Sequence, residues 1–534
     1  MAIMIDSNFP GGGVEDVRIV SQSHVFFSAP VDGSLSNRTC WFCFRVRGGK
    51  GRDMTFHQEK MERTLEVNIY GTYAVVRPVV REEGGEWKRL SSENVTYDRE
   101  SLDFSFRYTP ESDETYFAFC YPYQLSDLKA FFARYRDNEH VREISLGRTY
   151  ENREYPAYIL GCDDGKPGKK LVFLKSRQHS GETSGSFVLE GVMQQILADD
   201  ALGRALREKA LFFVVPMVHL DGVENGHYGK DAPPVDFNRD WRRNSKRQEI
   251  RAIVSKLDEL TRKYTMAVSA DFHSPHPGGP SHIMPGRYSE LGEDGWDRMC
   301  QFRAYVEELM EPFSSNRVCD LEDIYFSWPQ ENFPFMETAF CHAAWGAECC
   351  STESAYNCDR TGRPIGPEQW NKMGHAYARA IYDVWFNEDF RFDYDPSRLP
   401  NLERTWDHWL MVTIPENLEI RAEGKELILE ARHGYDRTYI PRKAFVAAKD
   451  VVSSGAYEIT CDGQADVEAF SYFYEHGCPD GRSEPLRIRL ENETITIPCK
   501  QLCEEKKTEH TYQDVQAAFR VLDLDGILRL RRVP

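Results

Sequence analysis

The chain has 534 residues, 41% hydrophobic and 28% charged, a balance that excludes a fibrous or wholly disordered protein and, at roughly 100 to 200 residues per domain, predicts about three domains. Asp plus Glu outnumber Lys plus Arg by 85 to 66, for a net charge of −19, which argues against nucleic acid and anionic membrane as partners. No run approaches the roughly 18 apolar residues of a membrane span, and the opening MAIMIDSNFPGGGVEDVRIV lacks a basic region followed by an apolar core, so a cytoplasmic protein with reduced thiols is expected.

From about Ser23 to Tyr123 short runs rich in Val, Tyr, Phe and Thr alternate with Gly, Asp and Ser clusters: HVFFSAP, CWFCFRV, LEVNIYG, YAVVRPVV, DFSFRY and TYFAFCYPY. The pattern predicts an antiparallel β-sandwich over residues 1–123. Cys40 and Cys43 form the one CxxC, inside an alternating run where residues three apart point to opposite faces, so a shared metal or redox role is not expected.

The texture changes at Gln124. SDLKAFFARYRDNE opens with a Ser N-cap and spaces Leu128, Phe131, Phe132 and Tyr135 as a helix does. Beyond it, the strands KLVFLKS, ALFFVVPMV, TMAVSADF and AECCSTES alternate with helices near 183–199, 244–263, 290–312 and 367–386, and Ile250, Ile253, Val254, Leu257 and Leu260 stripe the second of these. Residues 124–395 are therefore expected to form an α/β domain, with a mixed, largely parallel sheet and helices on both faces. After the stretch FRFDYDPSRLPNLERTWDHW, the runs LMVTI, LEIRA, ELILEA, LRIRL, ETITI and LRLRRV predict an all-β accessory domain over 396–534. In it Trp406 and Trp409 are expected to pack in a core rather than to bind a sugar.

Chemistry in open α/β sheets collects at the carboxyl ends of strands. The first such end places His179 and Glu182 at the start of a helix, three residues apart, a pairing of imidazole and carboxylate that suits zinc. His140 and Glu143 share the spacing but are expected at the charged end of a helix, facing solvent. The second end delivers His273, which would complete a two-histidine, one-glutamate set that leaves a coordination position open; His276, between two prolines, is its rival. The third delivers Glu353, a candidate general base. Asn238 and Arg239 precede a helix, and a guanidinium is the group best shaped to hold a carboxylate. His282 and His342 are expected to be structural.

In this order the motifs resemble the zinc carboxypeptidases, and among them the cytosolic carboxypeptidase subfamily, from about residue 38 to 386. The resemblance includes the sandwich ending in YFAFCYPYQLSDL. It implies one zinc ion held by His179, Glu182 and His273, Glu353 as general base, and Asn238 and Arg239 as the holders of a substrate's terminal carboxylate. Two positions depart from the family: His219-Leu220-Asp221-Gly222 stands for Asn-Pro-Asp-Gly, and Gly229 stands where an oxyanion-binding arginine is usual. Lys230 is the adjacent candidate for that work.

The expected function is therefore hydrolysis of the C-terminal amide of a peptide or protein. An amidohydrolase acting on N-acyl amino acids or cell-wall peptides is the alternative enzyme, and a catalytically impaired peptide-binding relative the alternative of another class. The run of cations from Arg239 through Arg242, Arg243, Lys246 and Arg247 to Arg251 suggests a basic site mouth and a preference for acidic C-terminal residues.

Overall fold

The computed structural model describes residues 2–35, 39–63, 72–98, 101–285, 288–313, 336–359 and 361–392, and then 418–423, 426–431, 438–439, 456–473, 486–498 and 515–533. These fall into two compact units. The first draws on 1–286, 297–319 and 344–394, the second on 287–296, 320–343 and 395–534.

The first unit opens with two five-stranded sheets. One has the order Met4–Asp6, Cys43–Arg47, Glu114–Ala118, Val79–Glu82, Lys88–Arg89, and the other the order Glu15–Ile19, His24–Ser28, Met54–Glu59, Asp103–Tyr108, Val95–Asp98. Phe42, Phe44 and Phe117 on the first side meet Phe27, Phe56 and Phe106 on the second, with ring centroids as close as 4.7 Å for Phe56 and Phe117. Alternation along each strand buries these rings between the sheets, which is the sandwich expected. Two details differ from expectation. His24–Ser28 pairs with Met54–Glu59 in parallel, and the run YAVVRPVV is a 3₁₀ turn at Thr72–Val75 followed by a strand that starts only after Pro78, whose ring nitrogen has no hydrogen to give a ladder. LEVNIYG lies outside the described residues.

The α/β part has seven strands: β1 (Val141–Arg148), β2 (Glu154–Leu160), β3 (Lys170–Ser176), β4 (Ala210–Val215), β5 (Thr265–His273), β6 (His282–Pro285) and β7 (Glu348–Glu353). Their order is β1-β2-β4-β3-β5-β7-β6. The central pairs β4/β3, β3/β5 and β5/β7 are parallel, and β1, β2 and β6 join antiparallel at the edges. The helices are α1 (Leu125–Ala133), α2 (Thr183–Leu197), α3 (Ala201–Lys209), α4 (Leu220–Asn225), α5 (Gln248–Leu260), α6 (Tyr288–Met310), α7 (Glu337–Trp345) and α8 (Pro367–Phe386). The five apolar residues of the α5 stripe are all buried. The cap of α1 is Gln124 rather than Ser126, because the Asp127 carboxylate accepts from the Gln124 amide at 2.7 Å and starts the helix two residues sooner. β1 and β2 are absent from the sequence reading, and His140 and Glu143, expected on a helix, belong instead to the approach to β1 and to β1 itself.

Among the contacts that tie the sandwich to the α/β part, two bear on the site. The Arg89 guanidinium donates to Asn357 Oδ1 at 2.8 Å, to Tyr356 O at 2.7 Å and to Ile365 O at 3.1 Å. Asp32 and its neighbours bond the segment from Tyr228 to Asp231.

The second unit carries an antiparallel sheet of order Leu418–Glu423, Glu426–Ala431, Val515–Val533, Ala456–Phe473, Leu486–Glu491. Thr438–Tyr439 pairs with the third of these and Thr494–Pro498 with the fourth. Trp406, Trp409 and the run LMVTI lie outside the described residues. No helix among the described residues is long and apolar enough to cross a membrane.

Candidate metal centre

Three parallel strands end together. β3 and β5 stay in register to Ser176 opposite Phe272, and β5 and β7 to His273 opposite Glu353. From Leu171 the whole of β3 is buried, so the chain turns polar only where it leaves the sheet. His179 and Glu182 lie in that exit, Glu182 as the N-cap residue of α2, and His273 closes β5. One turn into α2, a Cβ on Gly185 would stand 2.3 Å from Phe272 O. Glycine there lets α2 approach β5 closely enough to bring the two segments into contact.

His179 Nδ1 stands 2.8 Å from Glu182 Oε1, and His273 Nδ1 2.7 Å from Glu182 Oε2. All three residues are at most 2% exposed, and their ligand atoms lie within 4.8 Å of one another, the single such cluster among the described residues. Two imidazole nitrogens and a carboxylate on one small buried spot are a donor set that suits zinc. His276 is not in the cluster. His282 sits on β6, its Nδ1 3.0 Å from Pro280 O, and His342 lies on α7.

The outer ring nitrogens are also held, by residues absent from the sequence reading. His179 Nε2 meets Asp236 Oδ2 at 3.2 Å, and His273 Nε2 meets Asp271 Oδ2 at 2.7 Å. The Gln178 amide donates to that same Asp271 oxygen, and the Trp241 indole donates to Gln178 Oε1 at 2.6 Å. Carboxylates behind imidazoles fix the ring orientation and leave the inner nitrogens for a cation. Burial works against charge on His273, but Asp271 and Glu182 hold its pKa well above the ordinary value. Burial likewise opposes the Asp236 charge, yet His179, Arg239 and Lys230 keep that carboxyl well below the usual range. Asp271 has a readable signal: it stands two residues before His273 on the same strand, between the apolar Ala270 and Phe272, hence on the same face. Asp236 has none, since only the folded loop brings it to His179.

Glu353 is 7% exposed, and its Oε2 has no hydrogen-bond partner among the described residues. Burial pushes its carboxyl up to about 7, while the charges on His273 and Lys230 pull the other way.

Lys230 brings its Nζ to 3.9 Å from Glu182 Oε1. Its neighbour Gly229 has φ +80°, and a Cβ there would lie 2.6 Å from Ser180 N and 3.0 Å from His219 Nδ1, so position 229 has no room for an arginine side chain. The His219 ring stacks on Phe237 at 4.2 Å between centroids, and Asp221 pairs with Arg153 at 2.6 Å and accepts from Thr149 Oγ1 at 2.7 Å. The His-Leu-Asp-Gly segment is thus bound into the surrounding fold.

Asn238 Nδ2 stands 3.5 Å from His273 Nε2, and Arg239 donates from Nη1 to Asn238 O at 2.8 Å. Four further cations of the basic run turn to other work. Arg242 pairs with Asp240, Arg243 with Asp258, Arg247 lies over the Phe237 ring and donates to Val235 O, and Arg251 donates to Ser245 O.

Comparison with known proteins places these observations. Residues 128–275 match the family model for zinc carboxypeptidase, and residues 5–120 the model for the cytosolic carboxypeptidase N-terminal domain. An uncharacterized protein of Zymomonas mobilis is 24% identical over 287 residues, 52% of this chain and 70% of that one. Cytosolic carboxypeptidase-like protein 5 of Mus musculus is 29% identical over 245 residues, 38% of this chain but only 27% of the mouse protein. The crystal structure of a metallo-carboxypeptidase from Burkholderia cenocepacia superposes with a TM-score of 0.61 at 21% identity, covering 72% of this chain and 99% of that one, which speaks for a shared fold.

Proposed function

We propose, from the premise that this chain belongs to the zinc carboxypeptidase family and carries ahead of it the N-terminal domain of the cytosolic carboxypeptidases, that it hydrolyses the C-terminal amide bond of a peptide or protein. The observation that carries the reading is the convergence of His179 Nδ1 and His273 Nδ1 on Glu182 at the ends of two parallel strands, with Glu353 at the end of a third. A single zinc ion held by these three residues would polarise the scissile carbonyl and make a water molecule more acidic.

The rest falls to the chain's own side chains. Glu353, with one oxygen unpartnered and its pKa raised by burial to about 7, takes a proton from the attacking water and returns it to the departing amine. Arg239 and Asn238 hold the terminal carboxylate of the substrate, so that the last amide is the one presented. Lys230 offsets negative charge as it builds on the carbonyl oxygen. Its ammonium near Glu182 supports turnover over the reading of a catalytically impaired relative, which rested on Gly229.

The proposal keeps the division into residues 1–123, 124–395 and 396–534 and a cytoplasmic setting, the latter supported by the matched N-terminal domain and the cytosolic names of relatives. The preference for acidic terminal residues keeps less support. Four cations of the basic run are engaged elsewhere, which leaves Arg239 and Lys246 of the run, with Lys230, to carry it, and equal turnover of Glu-, Leu- and Lys-terminated peptides would reject it. The deciding experiment supplies zinc-loaded protein with matched peptides that end in a free carboxylate or an amide. Release of the last residue from the free set alone, abolished by a chelator, supports the proposal; equal cleavage of the amidated set assigns the chain to the amidohydrolases.

A further inference from the structure

The segment from Tyr228 to Asp231 belongs to no helix or strand, yet it aims Lys230 at Glu182. A four-residue irregular segment has little of its own to fix a long side chain, so the bonds made to its backbone decide where the ammonium goes. Most of those bonds come from the sandwich. Asp32 Oδ2 accepts from the Gly229 amide at 3.0 Å. Ser34 Oγ donates to Lys230 O at 2.8 Å, and the Leu35 amide donates to Asp231 O at 2.9 Å. From the α/β side, Tyr228 O accepts from the Gly181 amide at 2.8 Å, and the Asp231 amide donates to Asp236 Oδ2 at 2.8 Å. The loop after His24–Ser28 thus meets Gly229, Lys230 and Asp231, and Asp32 grips the left-handed step at Gly229 from which Lys230 departs.

We infer that Asp32 is a positioning residue that acts through Lys230, so that the N-terminal sandwich supplies part of the geometry of the active site. The inference rests on the role given to Lys230 above. Asp32 does not touch the substrate. Its carboxylate fixes the Gly229 amide on the N-terminal side of Lys230, Ser34 fixes the carbonyl on its C-terminal side, and between them they set where Nζ stands.

The test uses the full-length, zinc-loaded protein and a peptide with a free C-terminus, with Asp32→Ala, Asp32→Asn, Lys230→Ala and the Asp32→Ala/Lys230→Ala double variant. Asp32→Ala is expected to lower kcat by about 10- to 100-fold with KM and zinc content unchanged. Asp32→Asn, whose amide oxygen still accepts from Gly229, is expected to restore most of that loss. In the Lys230→Ala background the alanine at 32 is expected to cost nothing more, whereas a general structural role would multiply the two losses. Hydrogen exchange of the peptide that spans residues 226–233 supplies an independent readout: it should speed up in Asp32→Ala and not in Asp32→Asn. Multiplying losses, or exchange unchanged by Asp32→Ala, overturns the inference. Should the parent protein release no residue from any free-ended peptide, the proposed function falls, and the exchange measurement still decides whether Asp32 holds the turn. Where Asp32→Ala does not fold, Ser34→Ala takes its place with the same expectations in both backgrounds.

Discussion

Glu353 stands opposite His273 in the register of β5 and β7, the last paired position of two parallel strands. Neighbouring strands lie about 4.8 Å apart, so the ladder itself sets the carboxylate beside the triad, with no loop conformation needed. Replacing Glu353 by Gln keeps the shape and removes the proposed base. Turnover is expected to fall by about 10²–10⁴-fold, with zinc content by atomic emission unchanged. Activity equal to the parent protein's would remove Glu353 from the mechanism.

The carboxylates behind the imidazoles lead to a second expectation. Asp271→Asn takes charge from behind His273, and Asp236→Asn does the same for His179. Each is expected to weaken zinc binding by about 10- to 100-fold in competition with a chromogenic chelator. Unaltered affinity in both would mean that the rings are oriented by packing alone.

Position 229 should accept almost nothing. Gly229→Ala sets a Cβ against Ser180 N and requires a left-handed backbone that costs about 1–2 kcal/mol for a side-chain-bearing residue, before any collision is counted. Gly229→Arg, the residue usual in the family, is expected to unfold more readily still and not to raise activity. A well-folded and faster Gly229→Arg enzyme would show that the turn can be rebuilt.

Asp32 sets a pH dependence of stability. Burial pushes its carboxyl from 3.8 to about 7, so between these values the folded chain holds a proton that the unfolded chain has lost. Stability from this group therefore falls as pH rises through that window and is level on either side. The difference in Tm between Asp32→Asn and the parent protein should shift in favour of the variant from about pH 4 to about pH 7. A difference that stays flat would mean that Asp32 titrates as an exposed carboxylate.

The strands that lead to His179, His273 and Glu353 were legible because a buried parallel strand is a short, mostly apolar run bounded by polar turns. β1 was not: exposed and intermediate positions dominate REISLGR, and a strand at a wetted edge has the composition of a charged helix end, which is how His140 and Glu143 were misread. His179, Glu182 and His273 sit at strand ends marked in the sequence, whereas Asp236 is 57 residues from the ring it supports. That partnership comes from folding of a long loop, and no local pattern announces it. The basic run shows the converse. Its charges were plain in the sequence, but their engagement with Asp240, Asp258 and backbone carbonyls was not.

Arg89 reaches out of the last strand of its sheet to bind Tyr356 O, Ile365 O and Asn357 Oδ1, in the stretch that follows Glu353. Three acceptors on one segment are met by one guanidinium from a domain with its own family model, the Arg77 amide sharing Asn357 Oδ1 and the Cys120 thiol sharing Tyr356 O, and a buried acceptor left without a donor costs about 1–3 kcal/mol. The two pieces are consequently not interchangeable modules. A recombination event that exchanged one sandwich for another would have to deliver a guanidinium to the same spot, which ties the descent of the front of this chain to that of its catalytic half.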